Sequence, residues 1–139
     1  MRTTVASLIA SLCVFAASGA PRAHHAFSSE YDGGKTFKIT GSVSKVEWTN
    51  PHVRFYVDVK ESDGKVTNWN LELASPSALA RNGWTSRTLK IGDEVTVEGY
   101  PGKAVATRGA ARSVVVADGR SLFAGSSDDA SLPSGDVRQ

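Results

Sequence analysis

From Val53 to Lys60 the chain alternates without a break: Val53, Phe55, Val57 and Val59 fall on one side, and Arg54, Tyr56, Asp58 and Lys60 on the other. A side-chain period of two predicts a strand with one face buried and one face wet. Such a strand needs partners along its edges and a cover for its apolar face, so it constrains what the flanking segments can become.

Upstream, Phe37, Ile39, Gly41 and Val43 alternate with Lys38, Thr40 and Ser42, and the apolar phase then slips near Ser44-Lys45 to continue at Val46 and Trp48. A one-residue slip in a period-two pattern predicts a β-bulge, and a long first strand that bends is what a small closed barrel requires. Downstream, Asp63-Gly64 predicts a hairpin turn into a third strand with Trp69, Leu71 and Leu73 on one face and Asn68, Asn70 and Glu72 on the other. Ser75-Pro76 supplies an N-cap and a first-turn proline, and Asn82-Gly83 a stop, so a short helix is expected over Ser77 to Arg81, burying Ala78 and Leu79. Trp84 and Leu89 follow as expected plugs. Gly92-Asp93 leads into a fourth strand with Val95 and Val97, which Gly99 ends or bends, and a fifth strand is expected from about Ala111 to Ala117. Asp118-Gly119 then turns the chain into Arg120-Ser121-Leu122-Phe123.

Three strands, a short helix and two further strands is the order of the OB-fold, a five-stranded Greek-key barrel. The expected class is therefore all-β with one short helix, the alternative being an open antiparallel sheet or a sandwich. One domain over residues 35–124 accounts for the apolar pattern. Residues 24–34 are polar and end in Asp32-Gly33-Gly34, which predicts an irregular N-terminal arm, and residues 125–139, rich in Ser, Asp, Gly and Pro, predict a disordered tail.

Residues 1–23 have the make-up of a secretory signal: Arg2, an apolar run from Val5 to Ala17 too short to span a bilayer, and small residues from Ser18 to Ala23. The lone Cys13 lies within it, and Leu12 is not the small residue that a lipid-attachment box wants, so the processed chain is expected to have no disulfide and no stable membrane anchor. A periplasmic location follows. Arg2 and Arg22 leave with the leader, so the formal charge of +2 falls to zero. Because phosphate binding relies on a cationic surface, this neutrality predicts no nucleic-acid partner, and leaves a periplasmic protein or a small ligand.

Two cuts are open: one after Ala20 satisfies the small-residue rule but puts Pro21 directly after the scissile bond, and one after Ala23, the expected cut, avoids this with Pro21 at the third position back and makes His24-His25 the new chain start; the remaining histidine of the sequence is His52. A terminal histidine combines a free amine and an imidazole, a chelating pair suited to copper, and an all-nitrogen set from His24, His25 and His52 suits tetragonal Cu(II). That arrangement resembles the histidine brace of copper-handling exported proteins. An arm of roughly ten residues reaches at most ~33 Å, enough to double back along the barrel toward His52. Copper is thus the cofactor to expect if there is one, and His24, His25 and His52 are its expected ligands. Trp48, Asn50 and Tyr56, around the loop joining the first two strands, form a second candidate ligand surface, with large aromatics more commonly serving as core. Glu47, Asp58 and Glu72 are expected to be solvated strand residues that discourage edge pairing. There is no G-x-S-x-G, H-E-x-x-H or P-loop motif. The expected function is therefore a small periplasmic binding domain, a candidate copper binder and more a carrier than an enzyme. The alternatives are a metal-free protein-interaction module and a copper redox enzyme on the same histidines.

The segments His24-His25-Ala26-Phe27, Val46-Glu47-Trp48-Thr49-Asn50-Pro51-His52, Gly92 through Tyr100 and Asp118-Gly119-Arg120 resemble the DUF6152 family of small exported bacterial proteins. The resemblance implies an exported single-domain protein and brings no activity or catalytic residues with it.

Overall fold

A computed structural model describes residues 21–125, with side chains from Ala26 onward; most of the expected leader and of the expected tail lie outside the described residues. The strands are β1 (Phe37–Glu47), β2 (Arg54–Lys60), β3 (Val66–Glu72), β4 (Glu94–Pro101), β5 (Arg108–Val115) and β6 (Ser121–Phe123), with helix α1 (Pro21–Glu30) before them and α2 (Pro76–Arg81) between β3 and β4. They pair in the order β3-β2-β1-β4-β5-β6, and a parallel pairing of β3 with β5 closes the first five into a barrel. With the helix between the third and fourth strands, this is the OB-fold topology, and β6 is an addition to it.

The long first strand serves two partners. Its first half, Phe37 to Ser42, pairs with β4, and its second half, Ser42 to Glu47, pairs with β2. The register of the second half breaks between Val43 and Lys45, where the apolar phase slips in the sequence. The period of β2 is realised through Val53, Phe55 and Val57, all completely buried, and weakens at Val59, which is only partly buried against the core. They pack with Val43, Leu71, Leu79, Val95, Val97 and Val114 in a single barrel core.

Trp84 plugs one end of that core, 2% exposed, with its indole N–H donating to the Phe123 carbonyl at 2.8 Å. Helix α2 is capped as its residues dictate: the Ser75 hydroxyl accepts from the Ala78 amide at 3.3 Å and Pro76 opens the first turn. Its buried residue is Leu79, whereas Ala78 is only partly buried against the core.

Strand β4 bends where glycine permits it. The register shifts between Glu98 and Gly99, and a Cβ on Gly99 would lie 2.0 Å from the Ala110 carbonyl oxygen, closer than any side chain tolerates.

Two expectations are corrected. The segment expected to be an irregular arm contains an α-helix, Pro21–Glu30. Phe27 and Tyr31, four residues apart, place their rings together (centroids 5.3 Å apart), and Phe27 meets Tyr100 of β4 edge-on at 5.7 Å. These rings give the segment a small apolar face to bury, in a satellite core of Tyr31, Tyr100 and Ala110. The fifth strand starts at Arg108, three residues before the expected Ala111. Its extra residues, Arg108 to Ala110, are those that pair in parallel with Asn70 to Glu72 and close the barrel.

Candidate functional site

Glu72 ends β3 at the seam where the barrel closes, opposite Arg54 of β2 and Ala110 of β5. Its side chain is only 14% exposed, and a carboxylate that has lost most of its water needs partners. Four side chains converge on it. The Arg54 guanidinium forms an ion pair with Oε2. The Tyr31 hydroxyl donates to the same oxygen at 3.1 Å. Arg108 comes within 3.9 Å of Oε2 and pairs at 3.0 Å with Glu30, the last residue of α1. His52 places Nδ1 at 2.7 Å from Oε1. Expected to be a solvated strand residue, Glu72 is instead the hub of a mixed-charge network.

The network also fastens the N-terminal segment to the barrel. Tyr31 bridges to Gly102, Asp32 donates its amide to the Pro101 carbonyl at 2.9 Å, and Lys103 reaches the Ser28 carbonyl at 2.6 Å. Tyr31 is 3% exposed, and burial, reinforced by the negative charge of Glu72, pushes its phenol up to about 12. Arg108 lies over the Tyr31 ring, 6.0 Å from its centroid, and its Nε is buried with no hydrogen-bond partner among the described residues.

Of the three histidines, His52 is placed in detail. It follows the cis Asn50-Pro51 bond in the β1–β2 loop, its side chain is 47% exposed, and Glu72 holds its Nδ1, which leaves Nε2 available. His24 and His25 lie within α1, six and five residues before Glu30, and only their backbone is described. The helix that carries them and the loop that carries His52 are thus tied, through Tyr31 and through His52, to one carboxylate. Among the residues with described side chains, which exclude His24 and His25, no group of three or more His, Cys, Asp or Glu converges as a metal site. No helix among the described residues is long and apolar enough to cross a membrane.

No hydrogen bond or ring contact joins Trp48, Asn50 and Tyr56 among the described residues. Trp48 is partly buried against the core and Asn50 is exposed. Tyr56 is occupied on the outer face, with its hydroxyl donating to Glu47 at 3.2 Å and the Lys45 ammonium 5.1 Å from its ring centroid. Lys45 in turn lies 2.5 Å from Glu47, and that hydrogen bond holds the Glu47 carboxyl below the usual carboxylate range. Trp69, which shares a face with Leu71 and Leu73, packs against the core and Phe37, with centroids 5.0 Å apart.

These features define a small OB barrel with a helical N-terminal strap and a histidine-bearing loop that meet at a half-buried carboxylate. The chain belongs to a family of unknown function, DUF6152, whose profile matches residues 11–111. No curated protein matches it. Among solved structures it is similar to a crystal form of the mitochondrial single-stranded DNA-binding protein Rim1 from S. cerevisiae, at 11% identity and a TM-score of 0.47, covering 59% of this chain and 92% of that one. A selenomethionine-labelled crystal of Rim1 is similar at 12% identity and a TM-score of 0.44, covering 66% and 97% of the two chains.

The expectation that nucleic acid is not a partner is withdrawn: the similar solved structures are those of a single-stranded DNA-binding protein, a property of that protein that does not pass to this chain. The inference from charge was also weak physically. A net charge of zero sums over the whole chain, whereas single strands are held by a local groove and by stacking on aromatic rings.

Proposed function

We propose that the protein is an exported, periplasmic copper-binding domain, in which the chain start at His24, with His25, and the loop imidazole of His52 supply nitrogen ligands. The observation that carries this reading is the Nδ1 to Glu72 contact at 2.7 Å on a side chain that is 47% exposed. A metal-ligating histidine characteristically gives one ring nitrogen to a carboxylate, which fixes the tautomer and aims the other nitrogen at the ion. The strap adds support, because it holds α1 against the barrel and puts the His24 backbone six residues, or about 9 Å of helix axis, from Glu30. Copper favours such a set because amine and imidazole nitrogens both shed their protons near neutral pH.

The test begins with the mass of the exported protein, which gives its first residue. Cu(II) titration of that form is then compared with His52→Ala and with a chain lengthened by one residue before His24, which blocks the amine chelate. Each change is expected to weaken binding at least tenfold. Tight binding that survives both changes, or no tight binding by the unaltered protein, refutes the proposal.

A further inference from the structure

Beside His52 a cavity of about 410 Å³ opens between the β1–β2 loop, helix α2 and the end of β6. That volume falls within the range of small-molecule sites. Its walls include His52, Ser75, Ala78, Arg81, Asn82 and Phe123, contributed by three separate parts of the chain.

Two properties set the chemistry it can accept. Among the described residues no Asp or Glu lines the cavity, although the chain has 14 of them. Arg81, exposed on the last turn of α2, has no acidic partner among the described residues. A second cavity of about 380 Å³, lined by Arg87, Lys90 and Arg120, differs on this point: Asp93 and Asp118 share its wall, and Asp118 holds Arg120 at 2.8 Å. The rest of the His52 cavity is mixed, with Ala78 and Phe123 on the apolar side and the Ser75 hydroxyl and Asn82 carboxamide on the polar side.

We propose that the cavity between His52 and Arg81 binds a small organic carboxylate with an apolar body, the anionic head on Arg81 and the body against Ala78 and Phe123. A guanidinium presents paired donors that match a carboxylate, and an apolar wall contributes affinity that an inorganic anion does not gain. The site does not require the metal, and it shares only the His52 ring with the copper reading.

The probe is benzoate, titrated into metal-free protein while amide NMR signals of Ala78, Arg81 and Phe123 are followed. Benzamide, with the same shape and no charge, and acetate, with the same head and no ring, are the controls. Saturable benzoate binding is expected, with both controls at least tenfold weaker. Arg81→Gln, on an exposed position, is expected to keep the thermal midpoint and weaken benzoate at least tenfold. Ala78→Leu is expected to fill the cavity and abolish binding. The proposal is overturned if benzoate does not saturate by about 10 mM, if benzamide binds as well, or if Arg81→Gln changes nothing. Because copper is absent throughout, protein that binds benzoate but not Cu(II) loses the metal reading alone, and the converse result removes only the cavity.

Discussion

Glu72→Gln separates a structural hub from a solvated strand residue. Glutamine keeps the shape of the side chain and one acceptor oxygen but removes the charge that Arg54 and His52 face. The cost depends on exposure. An ion pair in open water contributes about 0–1 kcal/mol, and loss of one partner of a fully buried pair costs about 3–5 kcal/mol. Glu72 is 14% exposed and Arg54 27%, so their pair lies between these limits. His52, at 47% exposed, adds a surface-sized contribution, and the Tyr31 hydroxyl retains an acceptor in glutamine. The sum is a destabilisation of about 2–3 kcal/mol, or about 10–20 °C in thermal midpoint for a domain of this size. Urea unfolding followed by tryptophan fluorescence measures it, and an unchanged m-value would show that stability, not compactness, has changed. The titration of Tyr31 gives an independent readout. Its pKa, about 12 with Glu72 in place, should fall without returning to an ordinary phenol's value, because burial is the larger cause and remains. A variant within about 0.5 kcal/mol of the parent, with an unmoved Tyr31, would show that the four contacts do not act together.

Three further outcomes are expected. The folded state keeps the Tyr31 proton up to about 12, whereas the unfolded chain sheds it near the ordinary 10, so stability is whole below pH 10 and is lost between the two. The loss is at most about 3 kcal/mol, and urea midpoints at pH 9 and above pH 11 should show a smaller fall in Tyr31→Phe than in the parent. Gly99→Ala forces a methyl to 2.0 Å from the Ala110 oxygen and should cost about 1–3 kcal/mol by chemical denaturation; a neutral result would mean that β4 need not bend there. Trp84→Phe removes the 2.8 Å bond to the Phe123 carbonyl and part of a core plug, and should lower stability by about 2–4 kcal/mol, with amide exchange rising first in β6.

What the sequence makes legible is what depends on neighbours along the chain. The alternation from Val53 to Val59, the slip at Ser44-Lys45 and the Ser75-Pro76 cap all act within a few residues, and each appears in the structure at its expected place. The start of β5 does not announce itself, because Arg108-Gly109-Ala110 has no alternation and becomes strand by pairing on one side with Tyr100 and Pro101 of β4 and on the other with residues some forty positions earlier. Helix α1 is hidden for a similar reason. Its composition is polar, and the ring that receives Phe27 is Tyr100, far along the chain. The i, i+4 spacing of Phe27 and Tyr31 was the available signal. For the candidate site, His52 was legible as chemistry, whereas Glu72 was not. Its outward position in β3 predicts solvation, and only barrel closure brings Arg108 and Tyr31 over it.

Closure therefore explains both the fold and the site. The parallel β3–β5 seam places Ala110 opposite Glu72, and the satellite core on Ala110 and Tyr100 is what α1 and Tyr31 pack against. Without the seam, Glu72 would lose Arg108 and Tyr31 together, and the helix carrying His24 would have no surface to dock on. Among the described residues, the hydrogen-bonding or ionic partner of the His52 ring is Glu72. Damage to the seam should therefore reach a ligand at His52 through loss of orientation before it reaches the barrel core, which β1, β2 and β4 hold by long antiparallel pairings. Substitutions that loosen the seam should weaken binding at His52 by more than their effect on global stability implies, whereas substitutions in the Val57 and Val97 core should affect the two in proportion.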